Sequence, residues 1–218
     1  MKLFLAIVYL GVFVARPTTA AVPETTESAI QAVETVYETV TSVQANFVQV
    51  TRSVAMGTED RQEGNMAVMR PTMMRWEFTS PDAALMVSNG EFMWVYHPAE
   101  AMVIQYGVAG ASQGSVESLL SDLANIQEQF NVAMITVDGG LAGHFALKLE
   151  PKSAQSFKTI VLELQEDTLS LGRVTILDSF DNETILTLSD VVLNGSVDPA
   201  QFNFEIPDGV ELVNTDAM

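Results

Sequence analysis

The chain has 218 residues, enough for one domain or two small ones. Ten Lys and Arg stand against 28 Asp and Glu, a formal net charge of −18, which excludes general nucleic-acid binding and docking on anionic lipid through a basic patch. Hydrophobic residues make up 48%, too many for a disordered acidic chain, and with no cysteine the chain has no disulfide, thiol nucleophile or Cys-ligated metal centre.

Met1-Lys2 is a short positive start, and Leu3 to Ala15 is an apolar run of signal-peptide length. Small residues at Thr18–Ala21 place cleavage after Ala20 or Ala21. Residues 1–21 therefore read as a secretory leader, with a buried strand or a retained anchor as the alternative, and 22–218 as one exported, soluble domain. No cysteine follows the cleavage region to carry a lipid anchor. Lys2 and Arg16 leave with the leader, so the mature chain is more acidic still.

Ile30, Val33, Val36, Tyr37, Val40 and Val43 recur at helical spacing and predict a helix over 26–43, capped by Thr25 or Thr26, with Glu27, Glu34 and Glu38 on its solvated face. From Ala45 the period drops to two. Strands are expected near 46–54, 62–70, 73–79, 83–88, 91–97 and 101–107, with a two-residue hairpin at Asn89-Gly90. Gly110 to Gly114 reads as a loop, and Val116, Leu119, Leu120, Leu123 and Ile126 mark a second amphipathic helix. Strands resume near 131–137, 144–150, 157–165, 171–179, 183–193 and 202–206. A dozen consecutive strands without a strand–helix alternation predict a mainly β, α+β domain built on one antiparallel sheet, and a sheet this long must curl or close.

Chemistry is sparse along this pattern. The two histidines, His97 at an exposed strand end and His144 on a wet sheet face, have no spaced carboxylate partner, so no metal site is expected. Gly110-Ala111-Ser112-Gln113-Gly114 matches the G-x-S-x-G nucleophile elbow, with Asp122 or Asp138 and then His144 in the required order. The elbow needs a parallel sheet, however, and the strand pattern here is antiparallel. A small serine hydrolase using Ser112 and His144 is the alternative of a different class. No catalytic residue and no cofactor is assigned.

The apolar excess is more informative. Alternation places Met66, Val68 and Arg70 on one side of a strand, and Met74, Trp76 and Phe78 form the matching set after the Arg70-Pro71 turn, leaving Arg75 and Glu77 on the other. A lone arginine among methionines and aromatics needs backbone carbonyls, a carboxylate or a ligand head group for its donors. Eight methionines fall between residues 56 and 102. They fit ordinary core filling, or an adaptable surface for variable apolar shapes. A curled sheet with amphipathic helices encloses a concave apolar face, and burying ~10 methylenes of a lipid chain there gives roughly 8 kcal/mol before ordering costs. In this reading Arg70 hydrogen-bonds the helical lid when the cradle is empty and lets go when cargo enters.

A set of short motifs then appears in order. It runs through Phe47-Val48-Gln49, Glu63-Gly64, Arg70-Pro71, Arg75-Trp76 and Ser80-Pro81-Asp82. Val87-Ser88-Asn89-Gly90 and Trp94-Val95-Tyr96-His97-Pro98 follow. Asp198-Pro199-Ala200-Gln201-Phe202-Asn203-Phe204 and Pro207-Asp208-Gly209-Val210 close it. Across about 45–212 this set resembles the LolA family of periplasmic outer-membrane lipoprotein carriers. Asn89 stands where that family commonly has Asp, and Met74 where it often has Phe.

The resemblance implies an open, strongly bent half β-barrel with helices as a lid over an apolar cavity. It implies a monomeric periplasmic chaperone that takes acylated lipoproteins from the inner-membrane ABC transporter of the Lol system. Cargo would pass to an outer-membrane receptor where one exists. Phe47, Met66, Val68, Met74, Trp76, Phe78, Leu119, Leu120 and Leu123 are then the expected acyl-chain wall, and Arg70 the lid-locking residue. A periplasmic lipid or lipoprotein sensor on the same half barrel is the nearer alternative.

Overall fold

The computed structural model describes residues 23–107 and 123–214. The expected leader 1–21, Ser112, Leu119, Leu120 and Asp122 lie outside them. Helix α1 spans Thr26–Thr39. The Thr25 hydroxyl accepts from the Ser28 backbone N–H, and Ser28 bonds back to Thr25, closing a capping box. Its apolar stripe, Ala29, Ile30, Val33 and Tyr37, is buried. The helix stops four residues before the expected Val43: Val40 is already extended, at φ −73° and ψ 118°. The β-branched Val40, Thr41 and Val43 fit either period, and pairing with neighbouring strands decides for the sheet.

Among the described residues twelve strands follow: β1 Ser42–Ser53, β2 Thr58–Met69, β3 Met73–Ser80, β4 Ala84–Asn89, β5 Phe92–His97, β6 Met102–Gly107, β7 Phe130–Ile135, β8 His144–Pro151, β9 Phe157–Gln165, β10 Leu171–Asp178, β11 Glu183–Leu193 and β12 Glu211–Asn214. They form one open sheet in the order β12-β6-β5-β4-β3-β2-β1-β11-β10-β9-β8-β7. The architecture is the half barrel expected from the sequence. Two details differ. The final strand is 211–214, parallel to β6, rather than 202–206. The β4–β5 hairpin turns at Gly90-Glu91, because the Asn89 side-chain oxygen accepts from the backbone N–H groups of Glu91 and Phe92, and Gly90 takes φ +93°.

The main core lies on the concave face, where α1 packs with Leu123 and Ile126 over Val43, Phe47, Leu147, Leu162, Val174 and Leu186. The stretch around Leu123 is a 3-10 turn, Leu123–Asn125, followed by a short helix α2, Ile126–Gln129. A second, smaller dry patch lies on the outer face. There Val87, Trp94 and Val103 are buried, and the 3-10 turn Pro199–Phe202 delivers a fully buried Phe202. Phe204 follows, its ring 5.9 Å from those of both Trp94 and Tyr96. The alternation of Phe202 and Phe204 mimics a strand, but Pro199 and Pro207 bracket it and its partners are side chains on the back of the sheet.

Candidate functional site

The concave face of β1–β4 carries most of the residues singled out by alternation. In register, Met66 faces Trp76, Val68 faces Met74 and Gly64 faces Phe78, while Trp76 faces Met86 on its other side. Phe47, Met66, Val68 and Trp76 are buried, and Met74, Phe78 and Met86 are half-buried. Phe47 is the centre of an aromatic group, with ring centroids 4.9 Å from Trp76 and 5.2 Å from Phe78, the latter edge-on. Gly64 makes this possible. A Cβ there would strike the Glu77 carbonyl and stand 2.8 Å from the Phe47 ring, so only glycine lets that ring lie across β2.

Arg70 closes this wall at the end of β2. Its guanidinium donates to the Tyr37 carbonyl at 2.5 Å and, more loosely, to the Val40 carbonyl at 3.4 Å. Its backbone N–H donates to the Thr41 carbonyl at 2.9 Å. Helix α1 has no basic residue in its last turn, so Arg70 supplies from the sheet the cation that the carbonyl end of the helix favours. Tyr37 is fully buried beside it. Burial pushes its phenol up to about 12, against the pull of the Leu171 backbone N–H and of the Arg70 charge.

Two further ties hold α1. The Thr26 hydroxyl accepts from the Met134 backbone N–H at 3.0 Å, occupying a donor on edge strand β7. The Glu34 carboxylate accepts from the Gln127 backbone N–H at 3.1 Å and from its side-chain amide at 3.0 Å. Glu34 is thus half-buried and bonded rather than part of a solvated face. Its spacing alone matches that of any exposed helix carboxylate, so the pattern held no signal for it. Met86, likewise, was legible only as one methionine among eight until β4 was paired with β3.

Leu123 is fully buried among the α1 contacts, whereas Leu119 and Leu120 lie outside the described residues. His97 is half-buried rather than exposed. His144 is on the outer face but is not simply wet. Its Nδ1 meets the Ala142 carbonyl at 2.9 Å, and its ring packs so closely on Gly172 that a Cβ there would come within 2.5 Å of Nε2. Ala146 beside it is buried, and the buried Glu163 carboxylate accepts from the Leu141 N–H at 2.6 Å and pairs with Arg173 at 3.0 Å, holding the 136–143 loop over this face. Among the described residues no cluster of His, Asp and Glu could hold a metal ion, and no helix is long and apolar enough to cross a membrane.

The arrangement on the concave side is an apolar wall with one cation at its rim, held to a helix by backbone carbonyls. The sequence profile of the family described as outer membrane lipoprotein carrier protein LolA matches residues 38–205. The chain belongs to the LolA family. An outer-membrane lipoprotein carrier protein from Pseudomonas paraeruginosa is 29% identical over 170 residues, covering 78% of this chain and 79% of that protein. Another from Nitrosomonas europaea is 28% identical over 187 residues, covering 85% and 89%. The crystal structure of an uncharacterized conserved protein from Thermus thermophilus shares the fold at TM-score 0.55 and 13% identity, over 86% of this chain and 98% of that one. LolA is a family of carriers, and its members act by binding rather than by catalysis.

Proposed function

We propose that this LolA-family protein is a periplasmic chaperone that binds the acyl chains of lipoproteins leaving the inner membrane and carries them toward the outer membrane. The observation that carries the reading is the contiguous apolar wall of Phe47, Met66, Val68, Met74, Trp76 and Phe78, closed at its rim by Arg70, which donates to the Tyr37 carbonyl of α1. Residues 1–21 serve as its export signal. Leu119 and Leu120 contribute to binding the acyl chains. The Lol ABC transporter supplies the cargo, and an outer-membrane receptor accepts it where the organism has one. The protein works as a monomer, without a cofactor and without enzymatic activity.

The energies are in proportion. The charge-assisted bonds of Arg70 to helix carbonyls are worth about 1.5–3 kcal/mol. Burying ~10 methylenes of acyl chain returns roughly 8 kcal/mol before ordering costs, enough to displace the helix. The Arg70 clasp then acts as a counterweight, stabilising the empty protein and so making release possible.

The test is to offer a purified acylated lipoprotein, in detergent, to the mature protein and to read complexes by native mass spectrometry. A one-to-one complex is expected. Arg70→Leu is expected to hold the cargo about tenfold or more tightly and to give it up more slowly to acceptor vesicles, because the empty state has lost its clasp. No complex with the wild-type protein would overturn the carrier reading. Loading and release unchanged in Arg70→Leu would remove Arg70 from it.

A further inference from the structure

Among the described residues, the Trp76 Nε1–H is the one buried side-chain polar atom left without a hydrogen-bond partner. The residue is 1% exposed. A buried donor left unmade costs about 1–3 kcal/mol. The surroundings give no relief: its cross-strand neighbours are the thioethers of Met66 and Met86, and the Phe47 ring lies at 4.9 Å. The other tryptophan is treated differently. Trp94, on the outer face, donates its Nε1–H to the Gln105 side-chain oxygen at 3.2 Å. Packing alone does not account for an indole at 76, since a phenylalanine would fill much of that space without carrying an orphaned donor.

We infer that Trp76 is a specificity residue that recognises an acyl carbonyl oxygen of the cargo lipid through its Nε1–H. This rests on the carrier reading and names the polar atom of cargo that the site takes. A saturated chain lying along Met66, Met74 and Phe78 meets only carbon and sulfur. Its carbonyl oxygen is the strongest acceptor adjoining that chain, and bonding it to Trp76 recovers the cost carried by the empty state. A plain hydrocarbon chain gains the apolar burial but leaves the indole unpaired. The site thereby discriminates an acyl chain from a plain hydrocarbon, which apolar contact alone does poorly. The carbonyl can belong to a glyceryl ester or to an N-terminal amide, the two acyl linkages of a lipidated cysteine.

Three lipopeptides separate these cases: a di-O-acyl ester form, its dialkyl ether counterpart, and the dialkyl ether carrying one N-palmitoyl amide. Each is titrated into the mature protein labelled with 15N-tryptophan, whose two indole signals are assigned with Trp94→Phe. The ester or the amide lipopeptide is expected to bind roughly three- to tenfold more tightly than the plain ether. It should also move the Trp76 indole proton downfield, with Trp94 unmoved. Whichever does so identifies the linkage. In Trp76→Phe the preference for a carbonyl should fall to about one. Equal binding of all three lipids to the wild-type protein, with the same Trp76 signal in each complex, would overturn the carbonyl proposal and leave the carrier reading standing. Failure of all three to bind would overturn the carrier reading itself. The wild-type comparison decides the matter even where Trp76→Phe folds poorly.

Discussion

Tyr37 joins three parts of the molecule at one residue. Its side chain is buried with the phenol near the Leu171 backbone N–H of β10, its carbonyl takes the Arg70 guanidinium from β2, and its backbone forms the last full turn of α1. Burial is the larger influence on the phenol and holds its pKa at about 12, above the model-peptide value of 10.0. The sign follows directly. Below pH 10 the phenol is neutral in both folded and unfolded chains, and its contribution is fully present. Above pH 10 the unfolded chain ionises first, so stability falls as pH rises toward 12. Compared by urea unfolding, wild type should lose about 2 kcal/mol of stability relative to Tyr37→Phe between pH 9 and 11.5, since only the wild-type chain carries the phenol. A constant difference across that range would mean that water reaches the phenol in the folded protein.

At the scale of elements, α1 is held to β7 at its start through Thr26, to α2 at its middle through Glu34, and at its end by Arg70, which follows β2. Lys152 in turn ties α2 to the end of β8, its ammonium donating to the Gln127 carbonyl at 2.6 Å. Glu34 therefore couples the helix to a segment that is itself stapled to the sheet. Its two bonds are partly solvated, so they are worth about 1 kcal/mol together. Glu34→Ala should speed amide exchange in α1 and in 123–129 by about fivefold, through local opening, and leave β9 and β10 unchanged. Uniform acceleration across the sheet would mean that α1 cannot open apart from the rest. The sequence reading anticipated the helix and its cap, because Ile30, Val33 and Tyr37 keep period and Thr25 sits where a cap belongs. It anticipated the β2–β3 wall for the same kind of reason: alternation around Arg70-Pro71 fixes which side chains share a face. It missed Glu34, whose partner lies 93 residues away. It also missed β12, a four-residue edge strand whose parallel partner β6 lies far back in the chain, although Pro207-Asp208-Gly209 marks a turn just before it. The orphaned Trp76 donor was invisible too, since it is defined by what its neighbours lack.

Taken whole, the sheet is stabilised differently in its two halves. From β1 through β11 to β8, strands bury the concave face against α1 and α2, as Phe145, Leu147, Leu162, Val174 and Leu186 show. From β3 to β6, the concave side chains Met74, Phe78, Met86, Met93, Val95, Ile104 and Tyr106 are half-buried, and the dry packing lies behind them. There Val87, Trp94, Val103 and Phe202 are buried, with Arg75 donating to the Gln201 carbonyl at 3.3 Å. On the carrier reading, the half-buried side chains of β3–β6 are the apolar surface left for a ligand, and surface kept for a ligand is not available to the protein's own core. The C-terminal segment resolves the conflict by holding this half from the back. Phe202→Ala should accordingly cost about 3–5 kcal/mol, the usual range for emptying a buried phenylalanine site. The loss should appear first in Trp94 fluorescence during urea unfolding, ahead of the far-UV signal of the sheet, and should weaken uptake of an acylated lipopeptide although Phe202 lies on the opposite face from it. A loss below about 1 kcal/mol, or coincident transitions, would mean that concave packing alone supports β3–β6. The C-terminal segment would then be a covering, and the wall would owe its shape to the strands themselves.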